Sequence, residues 1–174
     1  EQQFETTLLG RRLIVGGEVG TSTRLRKGYE LVPGAQDGDL TFDPEAKLEA
    51  IWLPSENSAV YVSTKLIAET SPWREGSSAK AAAGAELQEF WLLKTGLFNS
   101  PLALQIGRQQ VQDRREWWWD KDLDAVRLHW FGKKVTAYAG VGREFGHKST
   151  LGTLDPEDRR ILRVFGNVKW DWAD

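Results

Sequence analysis

Apolar residues recur at every second position in eight stretches of this chain, near 11–22, 45–53, 58–68, 85–94, 101–110, 123–131, 134–145 and 160–172. That period marks a β-strand with one apolar and one polar face. The connections alternate as well. Gaps 23–44, 69–84, 111–122 and 146–159 are long and charged, whereas 54–57, 95–100 and 132–133 have the length of hairpin turns. A soluble sheet has no reason to put all its long loops on one edge. An outer-membrane barrel does, with short inner turns, long outer loops and about ten residues per tilted crossing. The pattern predicts an all-β fold: an antiparallel transmembrane β-barrel with about eight strands in this chain.

Each strand can be read face by face. Leu13, Val15, Gly17, Val19 and Thr21 oppose Arg12, Gly16, Glu18 and Gly20; Ala46, Leu48, Ala50 and Trp52 oppose Glu45, Lys47 and Glu49. Val60, Val62, Leu66 and Ala68 oppose Tyr61, Ser63 and Lys65, and Val126, Leu128 and Trp130 oppose Ala125, Arg127 and His129. The last run sets Leu162, Val164, Val168 and Trp170 against Arg163, Asn167, Lys169 and Asp171. The polar faces carry too many charges to be buried dry, so they must meet water. Arg12, Lys47, Lys65, Arg127 and Arg163 therefore stand as candidate pore residues. Arg108 and Arg143 have the opposite, lipid-side parity, which places them at a rim or a gate. The fourth run, Leu87–Leu93, breaks the alternation and predicts a bulge near Gln88 and Glu89.

Composition narrows the class. A formal charge of −2 and a pI near 5.8 argue against a nucleic-acid binder. The mean hydropathy of −0.47 reads as soluble, but barrel strands are only half apolar and leave a weak signal. No apolar run reaches the ~18 residues of a transmembrane helix. Cysteine is absent, which removes disulfides and thiolate metal sites, and two histidines are too few for a His-rich metal centre. Methionine is absent too, so Glu1 is not a translated start and a signal peptide is expected to have been removed. Nine tryptophans suit the aromatic girdles of a membrane barrel; Trp52, Trp130 and Trp170 fall near the short turns. The hydrolase, zinc-protease and nucleotide-binding motifs are missing, so neither an enzyme nor a cofactor is expected.

Several segments then read together. Gln88-Glu89-Phe90-Trp91, Ile106-Gly107-Arg108-Gln109-Gln110, Trp118-Trp119-Asp120, Leu154-Asp155-Pro156-Glu157-Asp158 and Val164-Phe165-Gly166 occur in that order. From about residue 84 onward the chain resembles the alginate-export family of outer-membrane porins. The resemblance implies a monomeric barrel of about eighteen strands, within the range such barrels span, with residues 1–174 as the N-terminal portion of that single barrel domain. It also implies a narrow electropositive channel for a polyuronate, in the outer membrane of a Gram-negative bacterium. Outer-membrane lipid and periplasmic export components are its implied partners. It assigns Glu89 and Asp120 to the pore constriction and places His147 near the pore. Asp120 is also a candidate gate on its own residues, because Arg114 and Arg115 lie in the same loop as partners for it. Two positions depart from the family: Gln88 stands where it carries an arginine, and Gly16 falls near a strand-one lysine. These leave room for a porin passing small organic anions or sugars. A soluble β-barrel that binds a ligand on a Trp-rich face is the other alternative.

Overall fold

The computed structural model describes residues 2–26, 39–74, 80–112, 120–146, 149–150 and 160–171. They form nine strands: β1 (Gln2–Leu8), β2 (Arg11–Arg26), β3 (Asp39–Ser55), β4 (Ser58–Arg74), β5 (Lys80–Leu97), β6 (Leu102–Gln112), β7 (Asp120–Phe131), β8 (Val135–Arg143) and β9 (Arg163–Trp170). All nine lie in one antiparallel sheet in chain order, and no α-helix occurs among the described residues. The eight expected runs correspond to β2–β9. β1 is additional. It is joined to β2 through Leu9 and Gly10, both at positive φ (52° and 72°), the backbone of a tight hairpin turn. Leucine rarely takes that conformation, so Gly10 alone marks the turn in the sequence.

Turns at Leu9–Gly10, 56–57, 98–101 and 132–134 all fall on one edge of the sheet, and the longer connections on the other. Strands β3, β4 and β5, with 17, 17 and 18 residues, outrun the ~9–11 needed to cross a bilayer. They therefore extend beyond it on the long-connection side, through much of what the sequence suggests is loop at 69–84.

Register fixes which residues share a face. Gly16 pairs with Glu49, Glu49 with Ser63, and Ser63 with Glu89. Further along, Gln105 pairs with Arg127, Arg127 with Gly140, and Gly140 with Phe165. Most of the buried residues lie on this face: Ser63 and Gln109 are 1% exposed, Ala103 and Leu123 0%, and Gln105 is buried with them. The opposite face carries Val19, Leu48, Leu66, Leu92, Ile106, Leu128 and Val168, all exposed, Val168 by 70%. A single layer can bury one face only by curling around it. The sheet is thus inside out, with polar groups enclosed and aliphatic groups turned outward, which is the organisation of a membrane barrel wall. Trp52, Trp130 and Trp170 lie on the outward face near the short turns, and Trp52 Nε1 donates to the Leu8 carbonyl at 3.1 Å.

Two irregularities shape the wall. Ser63 opposes Glu89 while Thr64 opposes Leu87, so Gln88 is the bulged residue that the broken alternation predicts. Gly107 has φ +129°, and a Cβ there would fall 2.2 Å from the Phe90 carbonyl oxygen. Only glycine lets β5 and β6 approach at this point.

The outward aliphatic face yields a test. Leu128 is 46% exposed, so Leu128→Arg would be nearly neutral if that face met water. Facing lipid, it is expected to cost up to about 2–4 kcal/mol, read from urea unfolding in phospholipid vesicles.

Candidate functional site

The enclosed face is the candidate solute path, and it divides into two parts. Across β2–β5 it is lined by carboxylates and lysines that satisfy one another. Lys47 Nζ lies 2.7 Å from Glu49 Oε1, and Lys65 Nζ lies 2.5 Å from Glu45 Oε2. The first pair follows from local structure, because residues two apart on a strand share a face. Half-exposed pairs of this kind contribute only ~0–1 kcal/mol to stability. Their larger effect is to cancel charge along the wall. Tyr61 Oη donates to Glu49 Oε1 at 2.7 Å, and the Tyr61 ring stacks on its cross-strand partner Trp91 with centroids 5.0 Å apart. Trp91 Nε1 in turn donates to Glu89 Oε2 at 3.1 Å, which also accepts from the Gln110 amide. Glu89 is therefore held in place by donors from β5 and β6.

Across β7–β9 the lining changes to cations and rings. Gly140 sits between Arg127 and Phe165 in one register row. With no side chain there, Phe165 leans over β8; a Cβ on Gly140 would come within 2.7 Å of the ring. The Arg127 guanidinium then lies 4.8 Å from the Tyr138 ring centre and 5.4 Å from that of Phe165. Phe165 is steadied from behind by Val111, Leu123 and Ala125. Arg127 Nε is buried without a hydrogen-bond partner, and no carboxylate among the described residues pairs with this guanidinium. One row on, His129 meets Gln105 Oε1 at 3.0 Å and stacks on Phe131. The result is a cation fixed by ring faces, a geometry that orients guanidinium donors without neutralising them.

The sequence-derived candidates separate accordingly. Glu89, Lys47, Lys65 and Arg127 lie on the enclosed face around the wall. Arg163 shares their parity and faces Glu144 at 3.8 Å, near the long-connection edge. Arg12 is at the short-turn edge and is tied to Glu5 by two hydrogen bonds of 2.7 and 2.9 Å. Asp120 opens β7 opposite Gln112, in a strand rather than in a loop. His147, Arg114 and Arg115 lie outside the described residues.

Arg108 and Arg143 lie on the outward face, the side their parity predicts. Arg108, Asp124 and Arg143 stand in one register row across β6, β7 and β8. Arg108 is 8% exposed and grips Asp124 through two hydrogen bonds of 3.2 and 3.0 Å, while donating to the Gly146 carbonyl at 2.6 Å. The Phe145 amide donates to Asp124 Oδ2 at 2.8 Å, and Ser149 and Thr150 reach back to Glu86 and Ala85 on β5. Residues 145–146 and 149–150 after β8 thus form a strap that touches β7, β6 and β5. It covers a charge that lipid could not accept bare.

The tyrosine, tryptophan and phenylalanine contributions escaped the sequence reading. Tyr61 showed its polar-face parity, but the partnership of Arg127 with Tyr138 and Phe165 depends on register across three strands. No protein-family model matches the chain. A stretch of 88 residues, 49% of the chain, is 32% identical to the alginate production protein AlgE of Pseudomonas aeruginosa and spans 18% of that relative's length.

Two substitutions test this geometry. Gly140→Val is expected to overpack the Phe165 ring and destabilise the protein by about 1–3 kcal/mol in urea titrations from micelles. Asp124→Asn is expected to weaken the hold of Arg108 and Phe145, raising amide hydrogen exchange in residues 144–150 while leaving β7 protected.

Proposed function

We propose that this chain forms part of the wall of an outer-membrane channel that passes an anionic polysaccharide, a polyuronate such as alginate, along its enclosed polar face. The inside-out sheet and the partial similarity to AlgE support the outer-membrane, porin-type class. The observation that carries the anionic solute is Arg127, a guanidinium braced by Tyr138 and Phe165 and left free of carboxylate partners among the described residues. Its free donors suit a passing carboxylate, and the neighbouring rings suit the apolar face of a sugar. Transit needs contacts that attract without trapping, so one half-buried cation without a carboxylate partner beside self-paired lysines is a workable lining. Glu89, fixed opposite, limits how long an anion stays. The nine strands would then be a portion of a larger barrel, since both β1 and β9 have one edge without a partner among the described strands.

A second reading has its own support. Lys47, Lys65 and Arg12 are all paired with carboxylates, and Gln88, bulged toward Ser63, brings no cation. A wall with so much of its positive charge cancelled suits small organic anions or sugars.

Planar-bilayer recordings on the intact gene product separate these readings. The polysaccharide channel is expected to be anion-selective under a salt gradient and to be blocked by added polyuronate. Arg127→Gln is expected to weaken the block by about fivefold, the factor given by loss of ~1 kcal/mol of attraction. Anion selectivity without polymer block would favour the small-solute porin, and cation selectivity would contradict both.

A further inference from the structure

We infer that the outward face of β6–β8 carries a binding site for a phosphate-bearing lipid of the leaflet on the long-connection side. The inference rests on the reading that this face meets lipid.

A groove of about 450 Å³ opens there, lined by Ile106, Val126, Val141, Phe145 and Leu162. Its floor is the aliphatic surface of the three strands, and its upper end is the row Arg108–Asp124–Arg143. Two cations and one anion stand in that row. Arg108 is neutralised by Asp124 and buried under the strap. Arg143 is left over: it is exposed, and its guanidinium rests 4.3 Å above the Phe145 ring, with no carboxylate partner among the described residues. The site therefore pairs an apolar channel with an unneutralised cation at one end. An acyl chain fits the first, and a lipid phosphate complements the second through the guanidinium fork.

The height of the wall points to the same occupant. From Trp130 to Asp124, β7 advances about 20 Å at ~3.4 Å per residue, less once strand tilt is included. A band this short is met by local thinning of the bilayer and by long side chains reaching for headgroups. Both bring lipid phosphate toward Arg143. A soluble anion would use only the cation and leave the groove empty, so the lipid is the occupant that accounts for both features.

The test uses the full chain in detergent micelles, with native mass spectrometry after addition of lipid A in its bisphosphorylated or its dephosphorylated form. The bisphosphorylated form is expected to be retained preferentially. Arg143→Gln should reduce that preference by about fivefold, the contribution of one surface cation to an anionic lipid. Val141→Trp, which fills the groove, should reduce retention of both forms. Equal retention of the two forms, or a preference unchanged in Arg143→Gln, would overturn the site while leaving the membrane wall intact. A protein that stays monodisperse without detergent and binds neither form would overturn the lipid-facing reading as well.

Discussion

Among the described residues, backbone pairing between neighbours is the connection that runs from one end of the sheet to the other. Nine strands lie in one layer, each hydrogen-bonded to the next, with no helix and no second sheet among the described residues to cover either face. Each face must then be matched to its own surroundings, and the faces differ. One is aliphatic and exposed; the other is polar and enclosed. Water satisfies the second at little cost, whereas the first is stable only against an apolar surrounding. Irregularities are tolerated where they serve that wall: a bulge at Gln88 restores the facing of β5, and Gly107 lets two strands close on one another.

The same constraint sorts the charges. On the enclosed side, where water screens them, lysines and glutamates stand close and cancel locally, and Arg127 remains open because rings rather than carboxylates hold it. On the outward side a charge must be covered or placed at the edge. Arg108 is covered, by Asp124 and by a strap from the β8–β9 connection, and Arg143 sits at the edge. An enclosed polar lining and an outward aliphatic face are thus produced by one alternating pattern, read from opposite sides.

Much of this is legible in the residues themselves. Period two located β2–β9, the alternating gaps located both edges, and parity placed Lys47, Lys65 and Arg127 on the enclosed face. The interruption at Leu87–Leu93 marked the bulge. Three kinds of information were not local. β1 hid behind Leu9, whose left-handed backbone is imposed by pairing on both sides rather than by its own preference. Arg108 advertised the wrong face for a pore residue, but its carboxylate partner and its strap come from distant segments. The cradle of Arg127 needs Gly140 to be vacant between it and Phe165, a coincidence of register that no single strand reveals.

The claim that everything else rests on is that the two faces of one strand meet different solvents. The chain has no cysteine, so single nitroxide labels can be placed without background. Labels at positions 126, 127, 128 and 129 of β7, in lipid vesicles, can be probed with molecular oxygen, which concentrates in hydrocarbon, and with a water-soluble nickel chelate. Oxygen contact is expected to dominate at 126 and 128, and nickel contact at 127 and 129. Exclusion of both reagents from 126 and 128 would mean that a protein core covers the aliphatic face, and would contradict the account.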